Sequence, residues 1–400
     1  MSADEMEGPT FKPMTRWDGE PADVTVLTDG FRFPYACSVV TPNRLMKSAM
    51  SEKLATFDSS NMEKNGIPTE ELINLYKKFG EGGYGIIVTG CIMINRRDLE
   101  APGNVIIDKD LDTEERREAF KRWTSAGKAC GSLMIAQLFH PGKYAAKLPE
   151  GSNFDINTLT REEIRNLIEE YAYAAKFAQE CGKTAFFFLH SHHGINPPPP
   201  SKRAFHASYG TILGFDGVEI SSAYFYTLGQ FLTYDTNSRT DEYGGSLENR
   251  SRLLFDIMQK LRLDIQSAPV GMRLPRQNSF VFGVKLYSGN FEPGYDDEEF
   301  GEFVHNVEKT GFDYVTITGG HYKLLREFPK DGSKKAEHFY QTVVPAVNFM
   351  NSSDQIRRNL TRTKLFMNGN FVTLSDMCDA VRERWAAGIA LAKPVAAEPG

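Results

Sequence analysis

The chain has 400 residues, of which 41% are hydrophobic and 12% aromatic, and its formal net charge is −6. The acidic balance argues against nonspecific nucleic-acid binding, and no apolar run reaches the length of about eighteen residues that crosses a bilayer. The N-terminal stretch mixes acids with prolines and lacks the basic flank and apolar core of a secretory signal. Five widely separated cysteines without metal-ligand spacing are typical of reduced cytosolic thiols. These features predict a cytoplasmic protein that acts on small molecules.

Short apolar runs alternate with longer amphipathic stretches along the chain. The predicted strands are 43–50, 84–91, 132–139, 215–221, 281–288, 313–319, 364–369 and 388–392. The predicted helices are 71–80, 113–131, 160–182, 246–262, 296–311 and 374–386, and Thr160 and Glu163 have the spacing of a capping box.

Eight strands that alternate with helices predict an α/β protein with a single (β/α)8 TIM barrel. We assign residues 31–400 to this domain and 1–30 to an N-terminal extension. In such a barrel the active site lies at the carboxyl ends of the strands. A doubly wound open sheet is the alternative, but the glycine-rich loop typical of its first strand does not follow 43–50.

Two segments depart from the barrel pattern. Residues 183–214 show no periodicity and contain four consecutive prolines, and their deletion would leave an ordinary helix-to-strand junction. We interpret them as translated intron sequence or a lineage-specific insertion. Their histidines (His190, His192, His193 and His206) lack partners at ligand spacing, so we predict no metal site. The chain also stops soon after the eighth strand, which predicts a missing or truncated last helix.

Several motifs at the predicted strand ends occur together. They are NRLMKSAMSE, GIIVTG, AQLFHPGK, NGNF and the long FDGVEISSAYFYTLGQFLTYDTNSRTDEYGGSLENR. Together they resemble the old yellow enzyme family of FMN-dependent NADH:flavin oxidoreductases, in its fungal branch, from about residue 30 onward. Within NSRTDEYGGSLENR, we expect Arg239, Asp241, Tyr243 and Arg250 to brace the loop rather than bind substrate. The resemblance implies FMN as cofactor, NADH or NADPH as reductant, a small-molecule substrate, no membrane or nucleic-acid partner, and a homodimer as one option.

The resemblance also implies a set of cofactor-binding residues. By this resemblance, Ser51 lies near flavin O4 and the amide of Gln137 lies at the pyrimidine edge of the flavin. A cation on the fifth strand lies near flavin N1. Lys285 is our choice for that cation, and Arg273 is its rival because VGMRLP resembles the same strand. The full set is Ser48, Ala49, Met50, Ser51, Gly90, Gln137, Lys285, Gly369, Asn370, Ala392 and Lys393.

The last four of these residues would bind the phosphate, through backbone N–H groups after the seventh and eighth strands. The family usually has Gly-Arg-Pro where this chain has ALAKP. Replacing Gly by Ala and Arg by Lys removes backbone freedom and a bidentate fork, so we expect weaker phosphate binding.

The substrate side departs further from the family. Ser221 and Tyr224 stand where the family has His and then His or Asn to bind the substrate carbonyl. Tyr226 matches the proton-donating tyrosine of the family. His140 would line the entrance of the substrate pocket. The implied reaction passes hydride to the β-carbon of an activated alkene while the tyrosine protonates the α-carbon. Because hydroxyls are a weaker donor pair, we expect altered substrate choice or reduced ene-reductase activity. A flavin-dependent isomerase or dehydrogenase, and an inactive or misannotated family member, stay open as alternatives.

Overall fold

The computed structural model describes residues 22–148, 151, 153–181, 214–266, 279–287, 297–319, 356–369, 371 and 373–397. Within these ranges the strands are β1 (Leu45–Lys47), β2 (Ile86–Met93), β3 (Val105–Ile106), β4 (Leu133–Phe139), β5 (Gly217–Ser222), β6 (Val281–Tyr287), β7 (Tyr314–Thr318), β8 (Lys364–Asn368) and β9 (Gly388–Leu391).

Eight of these strands form a closed parallel barrel. They pair in chain order from β1 and β2 through β4 to β9, and β1 pairs with both β2 and β9. This closure confirms the predicted TIM barrel and each of its eight predicted strands. The two-residue strand β3, which pairs with the end of β2, was not predicted because it is too short to show a period.

The helices of the described ranges are α1 (Thr25–Thr28), α2 (Glu70–Glu81), α3 (Glu114–Lys128), α4 (Arg161–Glu180), α5 (Thr227–Leu232), α6 (Leu247–Gln266), α7 (Asp297–Thr310), α8 (Leu374–Arg382) and α9 (Lys393–Ala397). The six predicted helices are confirmed as α2, α3, α4, α6, α7 and α8, and Thr160 and Glu163 form the expected capping box. The short helix α5 was missed because all six of its residues are buried, which leaves no amphipathic period.

The barrel wall separates two apolar clusters. Outward-facing strand residues such as Leu138 and Ile220 pack with helix residues such as Trp123. Inside the barrel, Met46 and Ile135 belong to a second cluster, to which Phe33 from the segment before β1 also contributes. Further along the strands the inward positions become polar. The carboxyl end of the barrel is therefore where the interior can carry chemistry.

The helix α4 and the strand β5 meet directly at the place where we predicted the insertion. The backbone N–H of Phe215 donates to the carbonyl of Ala178 at 3.2 Å. Residues 182–213, and with them the four histidines of the predicted insertion, lie outside the described residues. The five-residue helix α9 follows β9, where we predicted a missing or truncated last helix. None of the helices in the described part of the chain is long and apolar enough to cross a membrane.

Candidate active site and cofactor site

A hydrogen-bonded polar group lies inside the carboxyl half of the barrel. The buried carboxylate of Glu219 accepts from Gln137 Nε2 at 2.7 Å and from Thr316 Oγ1 at 2.9 Å. The thiol of Cys91 donates to Gln137 Oε1 at 3.3 Å, and burial raises the pKa of that thiol. Sequence reasoning found Gln137 but not Glu219, although a glutamate within an apolar strand run is itself a signal of a polar interior.

Lys285 adds a cation to this interior. In the sheet register it is the partner of Ser221 on β5 and of Thr316 on β7, and only 7% of it is exposed. Its strand, β6, is the fifth strand of the barrel wall, whereas the rival Arg273 lies outside the described residues. Lys285 thus lies on the strand for which the family resemblance predicts a cation near flavin N1.

The segment after β1 brings small residues to the same end of the barrel. Ser48 is buried, and its hydroxyl accepts from Asn368 Nδ2 at 2.9 Å. Ala49, Met50 and Ser51 are half-buried, and Ser51 Oγ donates to Glu100 Oε2 at 2.6 Å. The predicted flavin-contacting residues that follow β1 therefore contact the loop after β2 and the end of β8.

Behind the wall, between β1, β2 and α2, lies a group that we call the wall network: Lys47, Glu52, Tyr76 and Gly90. Glu52 Oε1 accepts from Gly90 N at 2.9 Å and from the Tyr76 hydroxyl. Lys47 Nζ donates to Val88 O at 2.8 Å and to the Tyr76 hydroxyl at 3.2 Å, and it lies 3.8 Å from Glu52. Burial lowers the pKa of Lys47 to about 8, although the nearby carboxylate of Glu52 opposes this shift.

Gly90 belongs to the wall network for a steric reason. A Cβ at this position would lie 1.9 Å from Glu52 Oε2 and 2.4 Å from Met50 O. The absence of a side chain therefore lets the end of β2 approach the loop after β1, which contains the predicted flavin-contacting residues. Lys47 within an apolar strand and Glu52 just after it were the available sequence signals, but their partner Tyr76 could not be paired with them by spacing.

The loop after β5 carries the predicted substrate-binding side chains. Ser221 is buried, and Tyr224 has a φ of 55°, in the left-handed region that a tyrosine rarely adopts. The Tyr224 hydroxyl lies 3.3 Å from Thr318 Oγ1, and its ring lies 4.8 Å from that of Tyr287. Gly229 accommodates this bend, because a Cβ there would lie 2.0 Å from the Tyr224 carbonyl.

Tyr226, the predicted proton donor, immediately precedes α5. Its ring packs edge-on against Phe139 at 4.4 Å between centroids, and against Tyr224 at 6.4 Å. The ring of Tyr144 lies 6.3 Å away, also edge-on. The structure thus brings the predicted Tyr224 and Tyr226 together within an aromatic cluster at the end of the barrel.

His140 is buried more deeply than a residue at a substrate mouth would be. It is 2% exposed, its Nδ1 lies 2.7 Å from Thr227 Oγ1, and its Nε2 lies 3.4 Å from Asp98 Oδ2. Its ring also borders a polar cavity of about 590 Å³ between the loops after β2 and β4 and helix α4. Asp98 and Thr227 were missed by sequence reasoning because neither belongs to the motif that contains His140.

The predicted phosphate-binding residues lie at an accessible edge. Gly369 follows β8 and is half-buried, whereas Ala392 and Lys393 follow β9, with Lys393 exposed at the start of α9. Asn370 lies outside the described residues.

The segment NSRTDEYGGSLENR is a structural brace, as predicted. Arg239 pairs with Asp241 and donates to the carbonyls of Ile156 and Leu159 at 2.6 and 2.9 Å. Arg250 donates to the carbonyl of Leu232, the last residue of α5. The brace ties the loop before α6 both to the loop before α4 and to the helix that follows Tyr226.

These residues fit an FMN molecule at the carboxyl end of the barrel. After its contacts with Glu219 and Cys91, the Gln137 amide still has a second N–H and a second oxygen lone pair for a flavin edge. Lys285 supplies positive charge, and small half-buried residues follow β1. By contrast, no group of three or more His, Cys, Asp or Glu side chains in the described ranges could hold a metal ion.

Comparison with known proteins identifies the family of the chain. The family model for NADH:flavin oxidoreductase / NADH oxidase matches residues 203–287. The NADH-dependent flavin oxidoreductase nadA of Aspergillus parasiticus is 31% identical over 400 residues, which cover 95% of this chain and 78% of nadA. The chain belongs to the NADH:flavin oxidoreductase / NADH oxidase family. It is therefore an oxidoreductase of the old yellow enzyme type, with FMN as cofactor and NAD(P)H as reductant, and it acts on small molecules.

More distant relatives extend the comparison. The NADH-dependent flavin oxidoreductase iccE of Talaromyces variabilis is 24% identical, over 91% of this chain and 82% of its own length. The solved structure of the old yellow enzyme homologue from Zymomonas mobilis superposes with a TM-score of 0.65 at 21% identity, covering 93% of this chain and 90% of that one. Morphinone reductase superposes with a TM-score of 0.64 at 19% identity, covering 93% and 87%. These structures share the barrel fold.

Proposed function

We propose that this oxidoreductase reduces the C=C bond of an activated alkene, an enone or an enal. The supporting observation is the position of Tyr226 at the carboxyl end of β5, packed against Phe139 and Tyr224. Ser221, at the end of the same strand, is the register partner of Lys285, which would stabilise negative charge on a reduced flavin. These positions support the proposal that Tyr226 is the proton donor and that Ser221 and Tyr224 supply two further hydroxyls.

Each side chain has a role that follows from its chemistry. Bound FMN supplies the hydride chemistry. Ser221 and Tyr224 donate hydrogen bonds to the substrate carbonyl oxygen, and this polarisation makes the β-carbon electrophilic. Tyr226 gives its phenolic proton to the α-carbon. Cofactor binding is assigned to Ser48, Ala49, Met50, Ser51, Gly90, Gln137, Lys285, Gly369, Asn370, Ala392 and Lys393, all within a catalytic domain of residues 31–400.

A flavin-dependent isomerisation or dehydrogenation is the second candidate. It is favoured by one observation: Ser221 and Tyr224 stand where the family resemblance places His and then His or Asn. Tyr224 also has left-handed backbone geometry. A hydroxyl pair polarises a carbonyl less strongly and would suit a substrate with a different acceptor group.

Anaerobic half-reactions separate these candidates. The purified chain, saturated with FMN, is mixed with NADH or NADPH until the flavin absorbance bleaches, and 2-cyclohexenone or cinnamaldehyde is then added. We expect alkene-dependent return of the absorbance and formation of the saturated product. Flavin that is bleached by NAD(P)H but regains its colour only with oxygen would contradict the proposal and favour the second candidate. A chain that binds no FMN would instead identify an inactive family member.

The quaternary state is a separate proposal. We infer a homodimer, following the family resemblance, and light scattering after size-exclusion chromatography measures it directly. A mass of about 45 kDa, that of one chain, would contradict the dimer.

A further inference from the structure

Phe139 and His140, at the end of β4, contact Tyr226 and Thr227, which follow β5. The ring of Phe139 packs against Tyr226, with centroids 4.4 Å apart. The carbonyl of His140 accepts from the backbone N–H of Thr227 at 3.3 Å, and its Nδ1 lies 2.7 Å from Thr227 Oγ1. The position of Tyr226 is therefore coupled to His140 through the peptide bond between Tyr226 and Thr227.

The hydrogen bonds around His140 determine which ring nitrogen carries the proton. The backbone N–H of Gly142 donates to Nδ1 at 3.1 Å, and a backbone N–H can only donate. Nδ1 must therefore be an acceptor, so the neutral ring carries its proton on Nε2. Because the same Nδ1 lies 2.7 Å from Thr227 Oγ1, the threonine hydroxyl points its hydrogen toward the imidazole.

Asp98 stabilises this tautomer from the opposite side of the ring. Its Oδ2 lies 3.4 Å from Nε2, and both side chains are buried. The ring of Phe154 covers the imidazole, with centroids 4.4 Å apart. Since both ring nitrogens already face protein partners and the side chain is 2% exposed, His140 is poorly placed to bind a substrate carbonyl directly.

We propose that His140 is a positioning residue for Tyr226. His140 acts through Thr227, and Asp98 holds the His140 ring in the Nε2–H tautomer. This inference deepens the proposed function and rests on Tyr226 as the proton donor. Proton transfer requires the phenol within hydrogen-bond reach of the α-carbon, and displacements of about 1 Å cost on the order of 10²-fold in rate. The proposal concerns the rate of protonation rather than the binding of the substrate.

A matched pair of substitutions tests the Nδ1 contact. In His140→Asn the amide oxygen can take the position of Nδ1 and accept from Gly142 and Thr227. In His140→Gln the amide lies near Nε2, so the contact with Asp98 is kept and the Nδ1 acceptor is lost. We expect His140→Gln to slow alkene-dependent flavin reoxidation by about 10–100-fold, and His140→Asn to retain most of the rate. The NADH-dependent reduction of the flavin should change in neither variant.

Thr227 provides a second matched pair, and Tyr226 and His140 provide a double-mutant cycle. Thr227→Val, which removes the hydroxyl, should slow reoxidation as His140→Gln does, whereas Thr227→Ser should not. In the Tyr226→Phe background, His140→Gln should cause no further loss, because the donor that it positions is already absent. Additive losses, or a raised KM with unchanged kcat, would overturn the proposal and restore His140 as a substrate-binding residue.

A spectroscopic measurement keeps the test independent of alkene reduction. The ¹⁵N chemical shifts of the His140 ring in the labelled FMN-bound protein, assigned by their disappearance in His140→Asn, should report the neutral Nε2–H tautomer at neutral pH. A neutral Nδ1–H ring or an imidazolium would overturn the proposal even in a protein that reduces no alkene. If the shifts agree but the parent protein shows no alkene reduction, the proposed function fails and the His140 tautomer stands.

Discussion

The loops after β1 and β5 reach the same end of the barrel, but they are held by different forces. The first, residues 48–52, is anchored by the wall network, in which Glu52 accepts from Gly90 and Tyr76 while Lys47 lies 3.8 Å away. The second, residues 223–226, is held by aromatic packing and by single hydrogen bonds between neutral groups.

This difference predicts how each loop responds to substitution. Removal of one member of a buried ion pair leaves the other charge without compensation and costs about 3–5 kcal/mol. Aromatic pairs contribute about 0.5–1.5 kcal/mol beyond their buried area. Substitutions after β1 should therefore act mainly on stability and on the cofactor. Substitutions after β5 should act mainly on the substrate reaction.

The largest effect is expected from a substitution in the loop after β5, and it is an effect on the reaction rate. Tyr226→Phe removes the proposed proton donor and should lower the rate of alkene-dependent flavin reoxidation by about 10²–10⁴-fold. The free energy of unfolding should change by less than about 1 kcal/mol, because the ring contact with Phe139 is retained. Stopped-flow absorbance measures the rate, with the exposed Tyr234→Phe as the matched control. An unchanged rate across several pH values would show that Tyr226 is not the donor.

The loop after β1 should give the next largest effect, on stability. Glu52→Ala removes the carboxylate that faces the buried ammonium of Lys47 and accepts from Gly90 N, so it should lower the free energy of unfolding by about 3–5 kcal/mol. Urea denaturation of the FMN-free protein measures it, since bound cofactor would mask part of the change. Glu52→Gln keeps an acceptor oxygen for Gly90 and should cost less. Equal losses for Ala and Gln would mean that the hydrogen bond to Gly90 contributes little.

The wall network also predicts a pH dependence of stability. Burial lowers the folded-state pKa of Lys47 from 10.5 to about 8, so between these values the unfolded chain binds more protons than the folded one. Stability contributed by Lys47 therefore rises with pH across this window, by up to about 3 kcal/mol. The difference in unfolding free energy between the parent and Lys47→Met should shift by about 2 kcal/mol in favour of the parent between pH 7.5 and 10. A difference that is independent of pH would contradict the buried, partly neutral lysine.

These two loops also show how far sequence alone can reach. The strands and long helices follow from hydrophobic period, and the motifs locate Tyr226 just after β5 and Lys285 on β6. The wall network could not be predicted, because Tyr76 comes from α2 and meets Lys47 only through tertiary packing. Thr227 was missed for a similar reason, since its contact with His140 joins the ends of two strands. Motifs locate single residues, whereas their hydrogen-bond partners depend on the folded barrel.

The smallest expected effect comes from exchanging the hydroxyl pair in the loop after β5. Ser221→His combined with Tyr224→Asn supplies an imidazole and an amide for the substrate carbonyl and should raise kcat/KM for 2-cyclohexenone by about tenfold. Asparagine tolerates the left-handed backbone at position 224, and this gain of about 1 kcal/mol offsets the lost packing against Tyr287. Steady-state kinetics measures the change, with Tyr224→Phe as the control that keeps the ring but removes the donor. If the double variant gains nothing while Tyr224→Phe keeps full activity, carbonyl binding by Ser221 and Tyr224 is wrong, and the loop after β5 serves the reaction through Tyr226 alone.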